Sequence, residues 1–166
     1  MRCPPSLALL LLLPACGGGG GTVVPVTTQV RLEAAPLDLG ANVSAAELAV
    51  ALPTDVGAAA VLVRVAVELP PALALAATDR LAAATTLPDL DGELQDGRFV
   101  VLCGDARNAG AAPLPKGELF RLRLVTATPR QTGTFEVRLT ELQAAAADGT
   151  PLPVATTPTV VPVRIR

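Results

Sequence analysis

Several stretches of this chain alternate apolar and polar side chains, and that pattern constrains the fold more than any other feature. Val61, Val63, Val65 and Val67 lie on one side of their segment, with Leu62, Arg64, Ala66 and Glu68 on the other. Phe120, Leu122 and Leu124 oppose Arg121 and Arg123, while Phe135, Val137 and Leu139 oppose Glu136 and Arg138. A period of two belongs to a β-strand with one buried and one wet face. On this basis strands are expected at about Gln29 to Ala34, Ala46 to Leu52, Ala59 to Leu69, Ala72 to Ala76, Arg98 to Gly104, Gly117 to Thr126, Gly133 to Leu142, Leu152 to Ala155 and Thr159 to Ile165. Turn signals rich in Pro, Asp and Gly fall between them, at Pro53 to Gly57, Asp96-Gly97, Pro129 to Gly133 and Asp148-Gly149. About nine short strands without a long helix predict an all-β sandwich.

Two alanine-rich segments need separate treatment. Ala76 to Ala84 has helix-favouring composition, so a short helical turn and a loop with a short strand both fit. Ala144 to Ala147 lies between a strand and an Asp-Gly turn, and four residues do not nucleate a helix there, so it is assigned to the sheet edge.

Composition then narrows the chemistry. At 166 residues the chain fits a single domain, 51% hydrophobic but only 2% aromatic, with no His, Trp or Tyr. Lack of histidine removes the usual Ser/His/Asp, Cys/His and His-metal sites. Thirteen basic and fifteen acidic residues leave a net charge of −2 and no basic stripe for nucleic acid. Phe99, Phe120 and Phe135 each share a strand face with aliphatic residues, so they read as core, and a polysaccharide lacks aromatic platforms to stack on. Asp89-Leu90-Asp91-Gly92-Glu93, with Asp96 beyond, is the densest carboxylate cluster; it lacks the spacing of an EF-hand and is read as a solvated acidic loop rather than a calcium site. Cys103, inside the apolar run Phe99 to Cys103, reads as a buried small hydrophobe. No catalytic residue, metal site or cofactor is predicted.

The amino terminus carries an address. Arg2, the apolar run Leu7 to Leu13 and the ending Leu13-Pro14-Ala15-Cys16 form the three regions of a signal peptide, with an apolar run too short to span a membrane. The ending resembles the bacterial lipobox, which implies cleavage before Cys16 and lipid attachment to it. Gly17 to Gly21 then form a flexible tether of roughly 12 Å, and Gly17 after the cysteine resembles an outer-membrane sorting signal. The expected organisation is a signal peptide over 1–15, a lipidated cysteine and Gly-rich tether over 16–28, and a sandwich over 29–166. The expected location is exported and lipid-anchored, at the outer membrane or cell surface.

The order of the body's features resembles the cohesin family of jelly-roll β-sandwiches. Val61 to Pro71 followed by Ala72-Leu73-Ala74-Leu75, the glycine-led strand Gly117 to Leu124, and Gly133 to Leu139 followed by Ala147 to Leu152 and Val160 to Ile165 carry the resemblance. Where the family has a tyrosine and an aspartate before the proline, this chain has Val67, Glu68 and Leu69. The resemblance implies a non-enzymatic binding or assembly module that takes a protein partner, dockerin-like or from the envelope, in preference to a sugar. A structural envelope lipoprotein without a ligand and a carbohydrate-binding module are the alternatives. In that family the partner docks on one sheet, which implies a partner-binding face with Arg64, Glu68, Arg121 and Arg123 pointing outward, or else a solvated face with Arg121 or Arg123 paired to Glu136.

Overall fold

The computed structural model describes residues 29–83, 89–104 and 111–166. In chain order the strands are β1 (Glu33–Ala34), β2 (Leu37–Leu39), β3 (Ala45–Leu52), β4 (Leu62–Glu68), β5 (Leu73–Leu75), β6 (Leu81–Ala83), β7 (Leu90–Gln95), β8 (Arg98–Gly104), β9 (Gly117–Thr126), β10 (Gly133–Ala145) and β11 (Thr159–Ile165). They form two sheets. One has the order β1-β3-β9-β5, with β6 also paired to β9, and the other the order β2-β11-β10-β4-β8-β7. Every pairing between strands is antiparallel except β2 with β11.

The alternation of the sequence becomes the inside of this sandwich. Val63, Val65, Val101, Cys103, Leu122, Leu124, Val137 and Val163 are all fully buried, joined by Phe99 and Phe120. Phe135 packs against the same cluster from a half-buried position. Each such aliphatic side chain contributes roughly 1.5–3 kcal/mol on burial, so many small contributions replace a few aromatic anchors.

Two bulges alter the phase of the alternation. Between β3 and β9, Val50 faces Phe120 and Ala51 faces Glu118, so Leu119 is the extra residue and both Leu119 and Phe120 are buried. In β10 the register with β4 shifts between Thr140 and Gln143, with Glu141 at φ 50°. Inward positions are therefore Val137 and Leu139 before the shift but Ala144 after it.

Eleven strands form where about nine were expected, and the differences lie in short segments. Only Glu33–Ala34 of the first predicted strand enters a sheet, while Val30 makes an isolated parallel bridge to Val154. Predicted strand Leu152 to Ala155 is reduced to that bridge and its neighbour at Pro151, facing Ala145. β2 was not anticipated, because three residues carry too little periodicity to register. Leu81–Ala83 forms strand β6, which settles the first alanine-rich segment in favour of a loop with a short strand. Ala144 and Ala145 extend β10, which lies between β4 and β11 rather than at an edge.

The acidic segment is a strand too, contrary to the loop expected. β7 pairs with β8 from Leu90↔Cys103 to Gln95↔Arg98. Asp96 and Gly97 close the hairpin with φ of 48° and 79°, the two positive values that a type I′ turn requires. Arg130 fastens the far end of the sandwich, donating to the carbonyls of Gly40 (2.7 Å), Val43 (2.9 Å) and Arg166 (2.8 Å).

Candidate functional site

The two sheets carry different outer faces, and they divide the four residues that the sequence had grouped. Arg64 and Glu68 stand on β4 of the six-stranded sheet, whereas Arg121 and Arg123 stand on β9 of the five-stranded sheet. They point away from opposite sides of the sandwich and do not make one face. Alternation distinguishes inside from outside, but it holds no information on which sheet a strand joins. Nor is Glu136 a partner of either arginine. Glu136 pairs with Arg138 at 2.9 Å, and Arg121 pairs with Glu118 and, at 3.5 Å, with Glu47. The hydrogen bond to Glu118 is the main cause holding the Arg121 pKa above its ordinary value. Arg123 makes no ion pair among the described residues.

On the six-stranded sheet the charged groups are linked across strands. Glu68 on β4 accepts from Thr140 of β10 at 3.3 Å and pairs with Arg98 of β8 at 3.3 Å, and Arg98 also pairs with Glu141. Arg64 donates to Gln95 of β7 at 3.2 Å, reaching over β8. All these groups are partly exposed, so each pair contributes at most about 1 kcal/mol. Their arrangement matters more than their energy.

Beneath them lies an apolar floor. Ala66 and Val100 point outward by register, yet they are 0% and 7% exposed. A recess of about 430 Å³ opens beside this floor, lined by Leu62, Leu102, Ala144, Ala145 and Pro151, with Arg64 and Gln143 on its rim. A second of about 200 Å³ continues toward β7, bounded by Asp91, Glu93, Gln95 and Val100. Arg64 and Leu102 line both, so the two form one groove running across β10, β4, β8 and β7.

The groove's apolar members escaped the sequence reading, although one signal was present. Phe99 to Cys103 is apolar at every position, which a strand wet on one face does not need. Val100 and Leu102 are the surplus.

The remaining chemistry of the molecule is structural. Cys103 is fully buried, and burial pushes its thiol pKa up to about 12, so it does not supply a thiolate near neutral pH. Asp91 accepts a hydrogen bond from the backbone N–H of Gly92 at 2.8 Å. Among the described residues no three His, Cys, Asp or Glu side chains converge in a way that could hold a metal ion. A cavity of about 240 Å³ lies beside the β10 bulge, and within its lining Thr159 donates to the Leu32 carbonyl at 2.7 Å and Arg31 pairs with Asp55 at 2.8 Å. Cys16 and the glycine tether lie outside the described residues.

No family model and no curated protein matches the chain. Its fold, however, is similar to that of solved cohesins. A type I cohesin–dockerin complex from Clostridium thermocellum matches with a TM-score of 0.66 and 14% identity, over 83% of this chain and 99% of that one. A non-cellulosomal cohesin from the archaeon Archaeoglobus fulgidus matches at 0.62 and 14%, over 83% and 91%. The cohesin module of a family 33 glycoside hydrolase from Clostridium perfringens matches at 0.61 and 15%, over 84% and 100%. At such identities the likeness is one of fold, a cohesin-like jelly-roll sandwich.

Proposed function

We propose that this chain is a protein-binding module, held at the bacterial cell envelope by lipid on Cys16, that docks its partner in the groove of the six-stranded sheet. One observation carries the reading: an outward-facing apolar floor of Ala66 and Val100, extended by Leu62 and Leu102 and bordered by Arg64, Glu68 and Arg98. An apolar centre with a polar rim is the usual anatomy of a protein interface. The cohesin-like fold supports a protein partner, since the Clostridium thermocellum relative was solved as a cohesin–dockerin complex. Scarcity of exposed aromatics argues against a sugar ligand. Of the four charged residues first grouped, Arg64 and Glu68 belong to this site.

Two experiments test the reading separately. The organism's secreted and envelope proteins are passed over the immobilised chain, and its Leu102→Glu and Arg121→Glu/Arg123→Glu variants are compared. Saturable capture of one partner by wild type and by the arginine double variant, but not by Leu102→Glu, is the expected result. Capture lost in the double variant and kept in Leu102→Glu would move the site to the other sheet. Absence of any saturable partner would favour a purely structural envelope role. For the anchor, metabolic lipid labelling is expected in wild type and not in Cys16→Ser; equal label in both would remove Cys16 from the account.

A further inference from the structure

β7 ends the six-stranded sheet, and among the described residues nothing pairs with its outer edge. The carbonyl of Asp89 accepts from the N–H of Gly104 at 2.8 Å, which makes these two a hydrogen-bonded pair. By antiparallel alternation Asp91, Glu93 and Gln95 also turn their backbone groups toward β8, and Leu90, Gly92 and Leu94 turn theirs outward. Among the described residues, of the outward groups only the Gly92 N–H is occupied, by the Asp91 carboxylate. The edge therefore offers a row of open donors and acceptors.

Side chains on the same strand specify what such an edge accepts. Asp91, Glu93 and Gln95 lie on the solvent face, and Asp89 to Asp96 contains four carboxylates and no basic residue. On the opposite face Leu94 is 69% exposed, because the five-stranded sheet stops at the short β6 and leaves it uncovered. Leu94 forms one lip of an apolar slot of about 310 Å³ between the sheets, with Val67, Leu75 and Phe99 within and Arg80 held over the Phe99 ring at 5.3 Å.

We propose that the outer edge of β7, whose Asp91, Glu93 and Gln95 side chains also wall the end of the groove, is a strand-addition site for an extended partner segment that alternates basic and apolar residues. Added beside β7, such a segment places its cations next to Asp91 and Glu93 and its apolar side chains beside Leu94 and the slot. A second copy of this chain does not satisfy the site, since edge-to-edge pairing brings two rows of carboxylates together. The charges thus exclude self-association while admitting a strand of opposite sign.

The test uses the full chain and a blocked six-residue peptide alternating lysine with valine, with binding followed by titration calorimetry and by backbone NMR shifts. Controls are the same peptide with glutamate in place of lysine, and one N-methylated on the alternate residues that face the edge. Saturable, salt-sensitive binding of the lysine peptide, with shifts centred on residues 90–95, is expected, and both control peptides should bind about tenfold more weakly or worse. Asp91→Lys/Glu93→Lys should reverse the preference between the lysine and glutamate peptides, and Leu102→Glu in the groove should leave it unchanged. Equal affinity for the N-methylated peptide would overturn the proposal, since it would reduce the association to diffuse charge attraction. So would loss of binding in Leu102→Glu with retention in the β7 variant, or a dimer of the free chain that Asp91→Lys/Glu93→Lys strengthens or leaves intact.

Discussion

The outer faces of the two sheets share alanine, glutamate and arginine, but on β8 of the six-stranded sheet valine and leucine join them. On the five-stranded sheet β3 and β9 present Ala45, Glu47, Ala49, Arg121 and Arg123, and none of these is buried. Alanine alternates there with exposed charges, so no apolar floor is buried between them. On the six-stranded sheet β4 and β8 present Arg64, Ala66, Glu68, Arg98, Val100 and Leu102, where Ala66 and Val100 are buried under neighbouring side chains. Branched or long apolar residues on both sides of two adjacent central strands produce relief, and relief produces a groove. Charge alone does not mark a binding face.

Glycine substitutions should separate the two sheets most strongly. A Cβ on Gly104, at the end of β8, would lie 2.0 Å from the Val61 carbonyl oxygen, at a φ of 86°. Gly117, at the start of β9, has a comparable φ of 99° but open space around it. Gly104→Ala is expected to cost about 3 kcal/mol or more and Gly117→Ala about 1 kcal/mol, as read by urea unfolding. Equal losses would mean that backbone conformation, and not the close approach within the six-stranded sheet, governs both positions.

Next in size is a matched pair of alanines. Ala66→Leu enlarges a buried position on the grooved face and should cost about 1–3 kcal/mol. Ala49→Leu, half-buried on the outer face of the five-stranded sheet, should stay within about 0.5 kcal/mol. If the two variants melt together, Ala66 is not the packed floor described above.

A pH effect sharpens the contrast between the two sides of β8. Leu102 faces the groove and Cys103 the core, where burial raises the thiol pKa from 9.0 to about 12. The folded state thus disfavours the thiolate. Its contribution to stability is fully present below pH 9 and declines as pH rises from there toward 12. Cys103→Ala should flatten that part of the alkaline stability curve. Iodoacetamide at pH 8 is expected to label native Cys103 only at the rate of unfolding; rapid labelling of folded protein would contradict its burial.

Smallest are the surface charges. Glu68→Gln should lower stability by less than about 1 kcal/mol, through the partly exposed contacts to Arg98 and Thr140. Arg121→Ala, on the other sheet, should also change the same melt by less than about 1 kcal/mol, because its contacts to Glu118 and Glu47 are partly exposed to a similar degree.

Much of this architecture is legible in the sequence. The alternating valines of β4, the Phe-Arg-Leu-Arg-Leu of β9 and the aliphatic face of β10 each announce a strand and its inward side, and the turn at Asp96-Gly97 follows from its dipeptide, although the hairpin it closes does not. An acidic strand was harder to see. Gly92 replaces an inward apolar residue in β7 because a Cβ there would lie 2.5 Å from Phe99 and 2.7 Å from Leu81. Packing against Phe99 of the neighbouring strand and Leu81 of the other sheet thus erased the periodicity by which the strand would have been recognised.

By itself, the sequence determined that this chain forms β-strands, which way their side chains turn, and that ordinary histidine-based chemistry is absent. Those properties are local, set by a two-residue period and by residue type. Tertiary structure alone decided which strands share a sheet, and so that Arg64 and Glu68 lie on the opposite surface from Arg121 and Arg123. It also placed the bulges at Leu119 and Glu141, left the edge of β7 without a partner strand among the described residues, and joined Leu62, Leu102 and Pro151 around one recess. Such outcomes depend on pairings between segments far apart in the chain, and a strand's own pattern holds no record of its neighbours.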